Sequence, residues 1–197
     1  IATVRSEEAI YYLQQQGLKA IKLDVNSSNS INNAVSKAVT MSGTGIDVLI
    51  NNAGFGQMGA LEDLSRDCIR DQFETNVFGL IELTNTVLPY MREQGYGRII
   101  NISSILGIVS LPFRGAYNAS KYAVEAISDT WRLELAGTPI KISLIEPGPI
   151  YSRFRQTCIE KALEEIDIEQ SHFKEKYQQL IEGQKNDKPI AFTKTGV

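Results

Sequence analysis

At 197 residues, 43% apolar and 22% charged, the chain has the composition of one folded domain with a full core, far from that of a disordered segment. Its formal net charge is −3, and arginines such as Arg5, Arg66, Arg70, Arg92 and Arg98 are scattered among acids, so no basic face for nucleic acid is expected. Two cysteines (Cys68 and Cys158) and one histidine (His172) argue against a disulfide framework or a histidine metal cluster and suggest a reduced, cytoplasmic setting; no apolar run approaches the ~20 residues that span a bilayer.

The chain opens on Ile1–Val4, which reads as a strand with Arg5 just past its end. Ser6 is a good N-cap for a helix to about Gln16, with Glu7 and Glu8 in its first turn and Gly17 at its end. Residues 20–25 form a short strand, and a helix over about 30–41 carries Ile31, Ala34, Val35, Ala38 and Val39 at helical spacing. Ile46–Ile50 is a continuous apolar strand of the kind buried on both faces of a parallel sheet. A long helix is expected over about 66–93, bent at Pro89, then a strand over 99–103, a helix over about 115–135 and a strand over 140–145. Beyond it the pattern to Asp187 is helical and charged.

Strands alternate with helices five times, the signature of an α/β, doubly wound parallel sheet of Rossmann type. In such sheets ligands bind beyond the carboxyl ends of the strands. The polar clusters fall there: Arg5, Asp24-Val25, Asn51-Asn52-Ala53-Gly54, Ser103-Ser104 and Pro147-Gly148. Any one of them could be turn chemistry, but five in register point to a ligand site.

The chemistry centres on Tyr117-Asn118-Ala119-Ser120-Lys121. On a helix, Tyr117 and Lys121 share one face about 5–6 Å apart. A nearby cation favours the phenolate and makes tyrosine a usable proton carrier. Ser104, thirteen residues upstream at a strand end, can reach the same spot.

Taken together, these motifs resemble the classical short-chain dehydrogenase/reductase family, over nearly the whole span from Ile1 to Ser152. Asn51-Asn52-Ala53-Gly54 looks like its N-N-A-G signature, and Asn76 falls where it has a catalytic helix asparagine. Ser104 has its spacing to Tyr117, and Pro147-Gly148 with Ile150 and Ser152 resembles its P-G-x-I/V-x-T stretch, serine replacing threonine. Leu111-Pro112-Phe113 is similar to the hydroxysteroid and retinol dehydrogenase branch. The resemblance implies hydride transfer between a nicotinamide and a carbonyl or secondary alcohol. Tyr117 would move the proton and Ser104 would hold the substrate oxygen. Lys121 would lower the Tyr117 pKa and bond the nicotinamide ribose, and Asn76 would hold a water beside Lys121. Asp24 and Val25 would meet the adenine, Asn51, Ala53 and Gly54 the adenosine side, and Pro147, Gly148, Ile150 and Ser152 the nicotinamide. The bland reading is a mid-helix kink residue for Asn76 and a helix-cap or turn residue for Asp24, and the functional reading is favoured for both.

Two departures matter. The family's first strand and Gly-rich turn, T-G-x-x-x-G-x-G, which seat the pyrophosphate on a helix N-terminus, have no counterpart here, and the domain is expected to be incomplete at both ends and inactive alone. The strand ending at Val4 is followed by Arg5 where an NAD enzyme has an acid, so NADP(H) is expected in preference to NAD(H). Residues 151–187 are expected to cover the site as a lid over a hydrophobic substrate. The helices 66–93 and 115–135 resemble those of the family's dimer interface, and a homodimer or homotetramer is expected. The alternatives are a non-catalytic nucleotide-binding module, against which the complete Asn76, Ser104, Tyr117, Lys121 set argues, and an extended-type epimerase or dehydratase, against which Asn51-Asn52-Ala53-Gly54 argues.

Overall fold

The computed structural model describes residues 1–150 and 152–185. Five parallel strands alternate with helices: β1 Ala2–Val4, α1 Glu7–Gln15, β2 Ala20–Lys22, α2 Ser28–Ser42, β3 Val48–Asn51, α3 Arg66–Phe73, α4 Gly79–Gln94, β4 Gly97–Ile102, α5 Gly115–Glu134, β5 Ile140–Ile145, α6 Phe154–Glu165 and α7 Lys174–Lys185. The expected α/β parallel architecture is the one observed.

Local signals explain most boundaries. The Ser6 hydroxyl accepts from the Ala9 N–H and starts α1; Gly17, at φ +78°, ends it, with the Gly17 and Leu18 amides donating back to Gln14 and Leu13. Ser27 caps α2 through the Ser30 amide, so the helix begins at Ser28, two residues before the expected start. Pro89 lies inside α4, which continues on either side of it. The break in the expected 66–93 helix comes elsewhere: residues 74–78 form a single π-helical turn between α3 and α4.

The sheet is in two parts. β1 pairs with β2, and β3, β4 and β5 pair in that order, all parallel; β1 and β3 are not joined. Between the two parts lies a largely apolar cleft of about 630 Å³, whose walls include Thr3, Ile21, Leu23, Val48 and Ile50. One sheet face carries the main core: Ile99, Ile140 and Ile142 pack with Ile31 and Val35 of α2, Leu83, Val87 and Met91 of α4, and Val124 and Trp131 of α5. The other face is open at β3. Val48 and Ile50, which project opposite to Leu49 and Asn51, are 49% and 57% exposed. β3 is therefore not buried on both faces as its apolar run suggests, because among the described residues neither a strand on its free edge nor a helix on that face covers it.

Gly79 shows how closely α4 meets the β2 side. A Cβ there would stand 2.5 Å from the Val25 carbonyl oxygen, so only glycine fits. A second core, with Met58, Leu64, Cys68, Cys158, Ala162 and Tyr177, joins α6 and α7 to the loop after β3.

Candidate active site

Three strand ends and the first turns of α5 and α6 enclose a cavity of about 760 Å³ beyond the carboxyl edge of β3–β4–β5. Ser104 enters it because β4 stops at Ile102; its hydroxyl accepts from the Leu106 amide and caps the short turn 105–107. Tyr117 and Lys121 lie one turn apart on α5, both about 7% exposed. The Lys121 Nζ is 5.7 Å from the Tyr117 ring centre and donates to the Ile102 carbonyl at 2.7 Å. The Phe154 ring of α6 packs on Tyr117 at 5.5 Å.

Asn76 is buried in the π-helical turn. Its Oδ1 accepts from the Phe55 amide at 3.1 Å, and its Nδ2 donates to the Phe55 carbonyl and to the Ser120 hydroxyl, both at 3.0 Å. The turn thus aims one amide at the loop after β3 and at α5 together. π turns recur at functional sites for this reason: the extra residue re-aims a side chain. A Cβ on Gly54 would lie 3.0 Å from Asn76 Oδ1 and 4.0 Å from Lys121 Nζ, which places that loop directly over the Asn76–Lys121 pair.

The electrostatics correct one expectation. Tyr117 is not depressed by Lys121: burial raises its pKa, with a hydrogen bond to Ser104 and the charge of Arg114 acting in the opposite direction. Lys121 is not among the groups that shift it, its ammonium being turned to the Ile102 carbonyl. Lys121 itself is lowered to about 8, chiefly by burial, with Glu125 opposing.

The other expected residues divide into three groups. Gly54, Pro147, Gly148, Ile150 and Ser152 line the cavity with the reactive set. Val25, Asn51 and Ala53 line the cleft between β1 and β3. The Asn51 side chain is turned inward, its Nδ2 donating to Thr84 Oγ1 and Asn101 Oδ1, and Asn101 Nδ2 donates on to Ser128. Arg5 is exposed just past β1, and Asp24 accepts the Asn26 amide in a local turn at 3.0 Å; neither lines the two clefts.

Sequence reasoning missed Arg114 and Cys158, which also line the cavity, while Phe154 lines it from the segment expected to act as a lid. Arg114 was accessible, since it stands three residues before Tyr117 at the start of the same helix. Cys158 carried no signal beyond helical spacing. The expected lid, 151–187, extends outside the described residues at Tyr151 and beyond Lys185; within them, α6 roofs Tyr117 and α7 is pinned by Tyr177. The Tyr177 hydroxyl accepts from the Ala60 amide and donates to Asp63, each at 2.7 Å.

This geometry agrees with the sequence comparisons. A model of the short-chain dehydrogenase family matches residues 2–162. The chain belongs to the short-chain dehydrogenase family. It is 40% identical over 172 residues to YbbO of Escherichia coli K12, an uncharacterized oxidoreductase, covering 85% of this chain and 64% of that protein. It is 37% identical over 146 residues to retinol dehydrogenase 8 of Bos taurus, covering 74% of this chain and 46% of the relative. Among solved structures, a short-chain dehydrogenase from Streptomyces avermitilis superposes with a TM-score of 0.71 at 39% identity, over 76% of this chain and 56% of that one. The chain thus spans between about half and two thirds of the length of these relatives. Like them it has the α/β architecture of the short-chain family, and among the described residues no helix is long and apolar enough to cross a membrane.

Proposed function

We propose that the protein containing this chain is an NAD(P)-dependent oxidoreductase that interconverts a carbonyl and a secondary alcohol. The observation that carries this reading is the convergence of Ser104, Tyr117 and Lys121 on one cavity, with Asn76 tying the loop before the site to the helix that bears the reactive pair. A module that only bound nucleotide would need neither the serine hydroxyl nor the buried phenol.

The residues present fit the nicotinamide half of the cofactor. Lys121 Nζ offers further N–H donors beyond the one spent on Ile102, Tyr117 has its hydroxyl, and the loop 147–150 lines the same cavity. The cofactor, when bound, supplies or accepts the hydride. During reduction the substrate oxygen gains negative charge. The raised pKa of Tyr117 keeps it protonated and able to donate, while the Ser104 hydroxyl stabilises the same oxygen. Lys121 would hold the ribose, and Asn76 would steady the loop over it.

The β1–β3 cleft supports the expectation of a central parallel strand and a Gly-rich turn from a preceding segment, which would seat the pyrophosphate. Arg5 at the end of β1 supports NADP(H) over NAD(H), since a guanidinium can bond a 2′-phosphate with two N–H groups. Cys68 and Cys158, both buried and unpaired as disulfides, fit a cytoplasmic setting. Phe78, half exposed on the π turn ahead of α4, suits the expected homodimer or homotetramer. The test is a screen of the full-length protein against ketones and secondary alcohols with both cofactors, followed by nicotinamide absorbance. Oxidation or reduction of any of them is expected; none across the panel would refute the reading.

A further inference from the structure

The substrate end of the cavity holds a cation that the hydride-transfer reading does not use. Arg114 caps α5 three residues before Tyr117 and lines the same cavity. Its Nη1 is buried and has no hydrogen-bond partner. A second guanidinium, Arg155 of α6, lines the cavity close enough to act on Arg114 through its charge. With Lys121 this makes three cations on the wall, and none of the residues described there is an aspartate or glutamate. The remaining wall is apolar, with Phe55, Leu111, Ile150 and Phe154 prominent.

Resting on the oxidoreductase reading, we propose that the substrate is an oxo or hydroxy acid: an apolar body whose carbonyl meets Tyr117 and Ser104 and whose carboxylate is held by Arg114. A buried N–H without an acceptor is costly, and a carboxylate is the acceptor whose shape matches a guanidinium fork. Burial lowers the Arg114 pKa and nearby Arg155 lowers it further, with the Cys158 thiol and Tyr117 opposing; the charge of an entering anion would offset both. The spacing also serves the chemistry. Residues i and i+3 of a helix are neighbours, so an acid group gripped by Arg114 leaves the carbonyl a few bonds away beside Tyr117.

The test uses the full-length enzyme with benzoylpropionate and its methyl ester, which share the ketone and aryl group and differ in charge. Wild type is expected to favour the acid in kcat/KM. In Arg114→Met the acid-to-ester ratio should fall about ten- to hundredfold, mostly through KM, and Arg114→Lys should recover part of it. A wild-type preference for the ester, or a ratio unchanged in Arg114→Met, overturns the proposal. Calorimetric titration of both compounds separates this from failure of the oxidoreductase reading. If neither compound is turned over but wild type binds the acid more tightly and Arg114→Met does not, the carboxylate site stands and the oxidoreductase reading falls. Equal binding of acid and ester by wild type overturns the site.

Discussion

The Lys121 ammonium donates to the Ile102 carbonyl at 2.7 Å, tying the helix of the reactive pair to the last residue of β4. This bond is made in a buried place where a charge is unfavourable, and the consequence is measurable. The pKa of Lys121 falls from 10.5 to about 8. Below pH ~8 both the folded and unfolded chains carry the proton, and the folded state bears the full penalty of burying it. Between pH ~8 and ~10.5 the unfolded chain binds more protons than the folded one, so stability rises with pH. The full penalty, two to three pKa units, is of order 3 kcal/mol. Lys121→Met should therefore melt higher than wild type at pH 7, with the gap closing by pH ~10, while catalysis is lost. Thermal melts of both proteins at the two pH values check this; a variant less stable at pH 7 would contradict it.

Asn76 makes a second prediction. Asn76→Ala leaves the Phe55 amide without its acceptor and removes donors to Phe55 and Ser120. The Phe55 carbonyl keeps its bond from Gln72, so the loss should be limited, about 1–3 kcal/mol. The urea midpoint should drop accordingly. Cofactor affinity should drop with it, because the loop over Lys121 is no longer fixed. A midpoint within error of wild type would show that the π turn is held by something else.

The alternation of strands and helices, and the meeting of Ser104, Tyr117 and Lys121, were legible in the sequence because both depend on short-range periodicity and on chain order. The π turn was not. Apolar residues recur at helical spacing across 66–93 without interruption, and the Asn76 bonds that hold the extra residue at 74–78 are tertiary, made to Phe55 and Ser120. The upward shift of Tyr117 was hidden for a similar reason. The Tyr117–Lys121 spacing is local, whereas the burial that raises the pKa includes long-range packing such as that of Phe154, 37 residues on. The inward turn of Asn51 likewise depends on Asn101 and Ser128, residues of β4 and α5 that no local pattern pairs with it.

A third prediction concerns the cleft between β1 and β3. Among the described residues both facing strand edges lack a ladder partner, and Val48 and Ile50 are left exposed. Apolar side chains left in water and ladder bonds left unmade forgo stabilisation that a domain with a net stability of only ~5–15 kcal/mol needs. Residues 1–197 alone should melt without cooperativity and bind NADPH poorly. A form carrying an N-terminal strand, Gly-rich turn and helix should do both well. Equal melting and equal NADPH titration of the two would contradict the need for that segment.

Arg5 tests cofactor choice. In the full-length enzyme, Arg5→Ala should raise KM for NADPH more than for NADH, because only the phosphate-bearing cofactor loses a charged hydrogen bond. Steady-state kinetics with each cofactor report the ratio. An unchanged ratio would mean that Arg5 does not meet the 2′-phosphate.

The central claim is that Tyr117 moves the proton, and Tyr117→Phe in the full-length enzyme tests it most directly. Phenylalanine keeps the packing against Phe154 and removes only the hydroxyl. Turnover should fall by about 10²–10⁴-fold, the usual loss for a general acid, while NADPH binding followed by fluorescence stays near wild type. Turnover within a few-fold of wild type would contradict the account.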